Sequence, residues 1–443
     1  MKVAIIGAGI AGISSALNLL NLKEDFDLKE IYVDIFEATD KVGGRVYSFK
    51  DAKSQEIIDN GKHLMIGAYS NLFSLLNKLH SFENLQFQKY LQVHLINNFK
   101  VSKFQNGIFG KFSQLNSLLK FNGLSIKEKF DLIEFAAKIN HIKISQSSAQ
   151  ELLLANHQSN KIIKQFWEPI VLATMNLPIN IASASLFIEI LKKSFFADKN
   201  SQKLVFSKIP LMQLFDGIKQ VEHPNFNLHL ETKIDGINVT EKKKYELIKN
   251  DKSLGIFDGV ILTIPPKMAY KLIKTNQQLV AKLNEMQIKF FEQVEYSPII
   301  SIYLWTKNDF LTQDFYGLID TEFHWIFKEK KSNPYRYTLT KSAAENLIKL
   351  SKEEIMELAY YDLSKNFTEF DRKKVIHHNI IFEKQATIKI TENIQNMRPS
   401  QKLVKGFYLA GDWTQTYLPA TMESAAYSGR LAVQELKKDY LDF

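Results

Sequence analysis

The stretch that decides the fold is Lys2-Val3-Ala4-Ile5-Ile6-Gly7-Ala8-Gly9-Ile10-Ala11-Gly12, followed by the apolar-periodic run Ile13 to Leu22. Lys2 to Ile6 is a short apolar β run, Gly7 to Gly12 a glycine turn, and Ile13 to Leu22 a helix. Glu30 to Phe36 then reads as a second strand that ends at Glu37. Each glycine has a separate task. Gly7 makes the tight turn out of the strand, Gly9 lets the backbone approach a diphosphate, and Gly12 lets the helix pack close to the sheet. The helix N-terminus offers N–H groups and partial positive charge to phosphate oxygens. Glu37 stands 25 residues after Gly12, where a carboxylate accepts hydrogen bonds from ribose hydroxyls. A strand before, a helix after and an acid at the next strand end together predict a bound dinucleotide.

Working outward, Lys41-Val42-Gly43-Gly44-Arg45 follows directly. A glycine pair with an arginine suits a diphosphate, because the guanidinium fork matches its oxygens better than an ammonium does. Arginine is scarce: of 57 basic residues only Arg45, Arg336, Arg372, Arg398 and Arg430 are arginine, and the other 52 are lysine. Near the far end, Leu409-Ala410-Gly411-Asp412 precedes a proline-containing turn and a helix starting near Thr421, with Met422 and Glu423 in its first turn. The N-terminus of that helix favours negative charge on whatever ring lies against it.

The chain has 443 residues, which points to two or three domains. It has no cysteine, which excludes disulfides, thiolate metal sites and a cysteine-tethered cofactor; no metal is expected. The net charge of +9 reflects a lysine-rich composition, and no nucleic-acid-reading motif accompanies it, so no nucleic-acid partner is expected. Lys2 to Gly7 is already structural, so no signal peptide is read, and no apolar run reaches about 18 residues. The expected location is the cytoplasm, free or held peripherally at the inner face of the membrane.

From about Leu72 to Ser201 helical patterns dominate, as in Ser125 to Ile144 and Asn160 to Met175. Short strands return from Phe226 to Val239, and Gly255 to Ile264 reads as one strand stopped by Pro265 and Pro266. Helices and strands such as Ile299 to Trp305 then mix to about Gln395, and Lys402 to Leu436 reads as strand, turn and helix. The expected fold is α/β: a Rossmann-like nucleotide domain from residues 1–71, 202–265 and 396–443, with an inserted, discontinuous α+β substrate domain from 72–201 and 266–395.

The glycine turn, the Gly43-Gly44-Arg45 run and the Gly411-Asp412 segment occur in the order seen in FAD enzymes of the flavin amine oxidase and phytoene desaturase superfamily, which the chain resembles. Four further blocks resemble the hydroxysqualene dehydroxylases of hopanoid and related triterpene synthesis. They are Asp59 to Tyr69, Phe166-Trp167-Glu168-Pro169-Ile170 with Leu172-Ala173, Asn176 and Pro178, Phe206 to Leu211 with Leu214-Phe215, and Gly411 to Glu423. In that family glutamine typically stands where this chain has Lys62. The resemblance implies FAD, held non-covalently by Gly7, Gly9, Ile10, Ala11, Gly12, Glu37, Ala38, Gly43, Gly44, Arg45, Gly61, His63, Ile234, Gly411, Asp412, Thr421 and Met422.

It also implies the reaction, reduction of hydroxysqualene to squalene by hydride from reduced flavin with loss of hydroxide. Hydroxide leaves poorly, so an acid or electrophilic donor is needed, and His63 and Glu168 are the candidates in the matching blocks. The substrate is a long apolar isoprenoid, whose tunnel Phe195-Phe196, Phe290-Phe291 and Ile299 to Trp305 are expected to line. Phe104 to Phe121 and Ser125 to Ile144 are lysine-bearing stretches able to lie on a bilayer. The electron donor, NADPH or a reductase, has no fingerprint of its own. Three alternatives stay open: a carotenoid-type desaturase, a flavin amine oxidase, against which Thr421 stands where an aromatic cage residue is usual, and a non-catalytic FAD-binding protein.

Overall fold

The structure, a computed structural model, describes residues 1–25, 31–105, 123–195, 197, 200–329 and 334–440. Most of the stretch Phe104 to Phe121, and Phe196, therefore lie outside the described residues.

Six strands form the first sheet, in the order Phe226–His229, Tyr32–Phe36, Lys2–Ile6, Gly259–Leu262, Phe407–Leu409, Lys402–Val404. All neighbours are parallel except the last pair. Central parallel strands are covered on both faces, so their positions are mostly apolar. Val3, Ile5, Val33, Ile35 and Ile261 face one way, onto the helices Ile10–Asp25 and Met422–Tyr440. Ala4, Ile6, Phe36, Val260 and Leu262 face the other, onto Ile237, Tyr245, Leu247 and Phe257. Those last residues belong to a three-stranded antiparallel meander, Gly236–Val239, Tyr245–Lys249 and Lys252–Phe257.

The single strand expected from Gly255 to Ile264 is thus two strands in two sheets. The break falls at Asp258, whose carboxylate accepts from the Lys2 N–H at 2.7 Å and pairs with Lys244 at 2.7 Å. This charged joint hands the chain from the meander to the parallel sheet. The helix after the glycine turn begins at Ile10, earlier than the apolar period alone suggested.

A second sheet of seven strands runs Val375–Ile388, Tyr296–Thr306, Tyr335–Lys341, Trp325–Lys328, Phe315–Leu318, Gln92–Asn97, Lys100–Gln105. One of its faces packs Ile300, Ile302 and Leu304 against Ile355, Ala359 and Leu363 of the helix Lys352–Asn366. The hairpin Gln92 to Gln105 lies in a stretch expected to be helical. Its turn residues Asn98 and Phe99 both take positive φ, the geometry of a two-residue hairpin turn. The expected helix Asn160 to Met175 forms, but its middle, Ile163–Trp167, is a π-helical turn. Among the described residues no helix is long and apolar enough to cross a membrane.

The two helices on the first sheet cross at Gly429. A Cβ there would stand 2.4 Å from the Ala11 carbonyl oxygen and 2.9 Å from Ser14 Cβ, and Ser14 Oγ donates to the Ala426 oxygen at 2.7 Å beside it. Helix propensity alone favours alanine by about 1 kcal/mol. Overpacking a tight contact costs about 1–3 kcal/mol. Gly429→Ala is therefore expected to lower the midpoint of thermal unfolding followed by circular dichroism; a raised midpoint refutes the close crossing.

Candidate active site

The glycine turn and the two segments after it close around one another through backbone bonds. The Gly7 N–H donates to the Phe36 oxygen at 2.8 Å, and the Gly43 N–H to the Ala8 oxygen at 2.9 Å. At Gly12 a Cβ would meet the Gly7 oxygen at 2.0 Å, so only glycine lets the helix start this close to the turn. Glu37 is held over the turn: its Oε2 accepts from the Ala8 N–H, and its Oε1 from the Thr39 N–H and Oγ1, each at 2.9 Å.

Arg45 reaches two distant parts of the chain. Its Nη2 pairs with Asp412 Oδ1 at 2.5 Å, and its Nη1 donates to the Ala386 oxygen at 3.1 Å. The Arg45 carbonyl accepts from Asn60 Nδ2 at 2.9 Å. Asp412 is buried, and its main chain is fixed by another arginine. Arg398 Nη2 donates to the Asp412 oxygen at 2.7 Å, and its Nη1 to the Leu418 oxygen at 2.8 Å. Burial pushes the Arg398 guanidinium down to about 10, against the pull of the Asp412 charge. Sequence reasoning missed Arg398, although the scarcity of arginine was a signal pointing to it.

The loop from Gly411 ends where Thr421 Oγ1 accepts from the Ser424 N–H at 3.3 Å at the start of the last helix. Glu423, in the first turn, accepts from the Asn71 and Leu72 N–H groups at 3.1 and 2.8 Å and caps the helix Ser70–Lys78. Burial raises the Glu423 carboxyl above its ordinary range, opposed by these hydrogen bonds.

One cavity of about 1530 Å³ runs through the region. Gly7, Gly9, Ile10, Ala11, Glu37, Ala38, Gly43, Gly44, Arg45, Gly61, His63, Ile234, Gly411, Asp412, Thr421 and Met422 all line it. Gly12 does not; it lies behind, between helix and strand. The rest of the cavity is walled mainly by apolar side chains, among them Ile66, Leu95, Phe104, Phe166, Ile170, Ile299, Trp325 and Phe327. Phe290 and Phe291, expected as tunnel lining, instead pack with Trp413 in the core. Of Ile299 to Trp305 only Ile299 and Ser301 face the cavity.

The two proposed donors separate. His63 lines the cavity, has no hydrogen-bond partner among the described residues, and is pulled below its ordinary value by burial, which the Asp59 charge opposes and the Arg45 charge reinforces. Glu168 does not line the cavity. Phe166, Pro169, Ile170 and Ala173 form the cavity-facing stripe of that helix, and Glu168 falls off it. Its carboxyl is raised by burial and lowered by Lys164 and Lys341. Beside His63, Lys62 lines the cavity and pairs with Glu329 at 3.2 Å.

Arg45 makes two directional bonds that an ammonium does not reproduce together. Arg45→Lys is expected to purify with a lower ratio of cofactor to protein absorbance and to bind added dinucleotide roughly tenfold more weakly. Wild-type occupancy and affinity in that variant refute the assignment.

The family described as flavin containing amine oxidoreductase matches residues 10–437. A hydroxysqualene dehydroxylase from Sinorhizobium fredii is 25% identical over 440 residues, covering 97% of each chain. A 15-cis-phytoene desaturase from an Oncidium hybrid cultivar is 22% identical over 482 residues, covering 99% of this chain and 78% of its own. Among solved structures, an oxidoreductase from Methanosarcina mazei superposes with a TM-score of 0.74 at 17% identity, covering 98% of this chain and all of its own. With the glycine turn, Arg45 and Asp412 gathered on one cavity and the match running over nearly its whole length, the chain belongs to the flavin containing amine oxidoreductase family and is an FAD-dependent oxidoreductase.

Proposed function

We propose that the chain reduces hydroxysqualene to squalene, removing a hydroxyl from a long isoprenoid. The observation that carries this reading is the makeup of the cavity: one part has the polar cradle that would suit FAD, and the rest is walled mainly by apolar side chains. The similarity to hydroxysqualene dehydroxylases over nearly the full chain supports it. The residues present fit FAD. Glycine backbone at Gly7 and Gly9 would leave room for a diphosphate, Glu37 would accept from a ribose, and Arg45 and Asp412 would hold the part between them. Thr421 and Met422 would set a helix N-terminus against the ring.

FAD in its reduced state supplies the hydride. The chain must do the rest, which is to hold the alcohol, exclude water and help oxygen depart. The apolar wall excludes water, so departing hydroxide has no solvent donor and needs one from the protein. His63 is the group placed for this. Being buried and held below its ordinary value, it is neutral near neutral pH and acts as a hydrogen-bond donor toward the leaving oxygen, not as a charged acid. Glu168, which does not line the cavity, is assigned a structural role beside Lys164 and Lys341.

Similarity to phytoene desaturases favours, as the second reading, a carotenoid-type desaturation on a comparable hydrocarbon. Incubating reduced protein with hydroxysqualene is expected to give squalene, and oxidised protein with phytoene no desaturated product; the reverse pattern selects the second reading.

The sign of the His63 effect is also testable. A neutral donor stays neutral as pH rises, so kcat/KM is expected to hold level from about pH 6.5 to about pH 8. A rate that instead declines steadily through this neutral range assigns the proton to a charged acid. His63→Phe is expected to lose at least about a hundredfold in turnover with FAD retained.

We further propose peripheral contact with a bilayer, from which so insoluble a substrate is drawn. On the helix Ile126–Lys138, Ile126 and Phe130 are 73% and 60% exposed, one turn apart, with Lys127 and Lys129 between them. Apolar side chains among lysines suit an anionic surface. The double variant Ile126→Glu, Phe130→Glu is expected to lose cosedimentation with anionic vesicles while turning over detergent-dispersed substrate normally. Undiminished vesicle binding removes this helix from the contact.

A further inference from the structure

The strand Tyr296–Thr306 alternates cleanly. Ile300, Ile302 and Leu304 pack beneath the helix Lys352–Asn366, while Ile299 and Ser301 face the cavity. Farther along that second face, Tyr303 and Trp305 pack under Ile58. On a face of isoleucine, tyrosine and tryptophan, Ser301 is the polar exception.

Its surroundings make the exception costly. Ser301 is 1% exposed, and its Oγ has no hydrogen-bond partner among the described residues. Buried hydroxyls are nearly always paired. Ser297 shows the normal case on the same strand: its Oγ donates to the Asn176 oxygen at 2.7 Å. Opposite Ser301 stands Gly61, where a Cβ would come within 3.2 Å of the Ser301 Oγ. A side chain at Gly61, two residues from His63, would crowd that oxygen. In the sheet register Ser301 pairs with Thr340, which lines the same cavity. Hydroxyl groups on two neighbouring strands thus interrupt an apolar wall that includes Ile299, Trp325 and Phe327.

We propose that Ser301 recognises the substrate's hydroxyl: its Oγ exchanges a hydrogen bond with the oxygen on the reacting carbon, on the side of the cavity facing the Gly61–His63 segment. This deepens the dehydroxylation reading and rests on it. A serine hydroxyl both donates and accepts, so it holds an alcohol and has nothing to offer the hydrocarbon product. The site therefore prefers substrate over product through this contact.

The test uses the FAD-loaded full chain, titrated with hydroxysqualene and separately with squalene in the same detergent, binding being read from perturbation of the flavin absorbance. Wild type is expected to bind the alcohol more tightly. Ser301→Ala is expected to weaken alcohol binding about three- to tenfold, leave squalene binding unchanged, and keep FAD content and the ligand-free spectrum. Ser301→Thr, which retains the hydroxyl, is expected to keep the preference. An undiminished preference in Ser301→Ala overturns the proposal. So does an equal loss for both ligands, which marks a packing role, or an altered ligand-free spectrum, which assigns the hydroxyl to the flavin. Wild type that binds both ligands equally overturns the Ser301 proposal alone; wild type that binds neither overturns the dehydroxylation reading with it.

Discussion

One guanidinium ties this protein together. Arg45 leaves the segment after the second strand, pairs with Asp412 near the far end of the chain, and donates to the Ala386 oxygen in the long edge strand of the second sheet. Two sheets and both arms of the cofactor cradle therefore meet at one planar group. Its geometry matters as much as its charge, because the fork fixes two directions at once. Behind it, Arg398 fixes the main chain of Asp412 and the end of the following loop. The carboxylate is thus held from both sides, by a side-chain pair and by its own backbone. A group so constrained keeps one position and direction, which is preorganisation in its plainest form.

The second organising constraint is the division of the cavity. Polar groups crowd the end built from turns and helix N-termini, where backbone N–H groups are unpaired by the geometry of those elements. Apolar groups fill the end built from the second sheet and the helices around Trp167. The boundary lies along Gly61 to His63, where backbone, imidazole and the Lys62–Glu329 pair come together. Chemistry belongs at such a boundary, since a nonpolar chain and a charged cofactor share no other surface.

Much of the cradle was legible in the sequence because its requirements are local. Gly7, Gly9 and Gly12 answer to a turn and a close helix, Glu37 to a strand end, and Gly43 to Arg45 to a short loop. What stayed hidden depends on partners far away in the chain. The split at Asp258 follows from Lys2 and Lys244. The hairpin from Gln92 to Gln105 is imposed by pairing with Phe315–Leu318. Glu168 was a candidate through its place in a matching block, but it does not line the cavity. Arg398 and Ser301 carry no motif at all: one is notable for rarity, the other only for lacking a partner.

The separation of Arg45 from Asp412, 367 residues, sets an order in time. A ribosome adds roughly 5 to 20 residues per second, so the guanidinium is made tens of seconds before its carboxylate. Until Phe407–Leu409 emerges, Gly259–Leu262 is an open edge of the parallel sheet, and the glycine turn faces half a socket. The nascent chain must carry that unfinished edge from the time Leu262 is made until Phe407 follows. Cofactor capture is correspondingly a late event, coupled to arrival of the last strand and helix, and a ribosome stalled before them holds a chain with nowhere to keep its flavin.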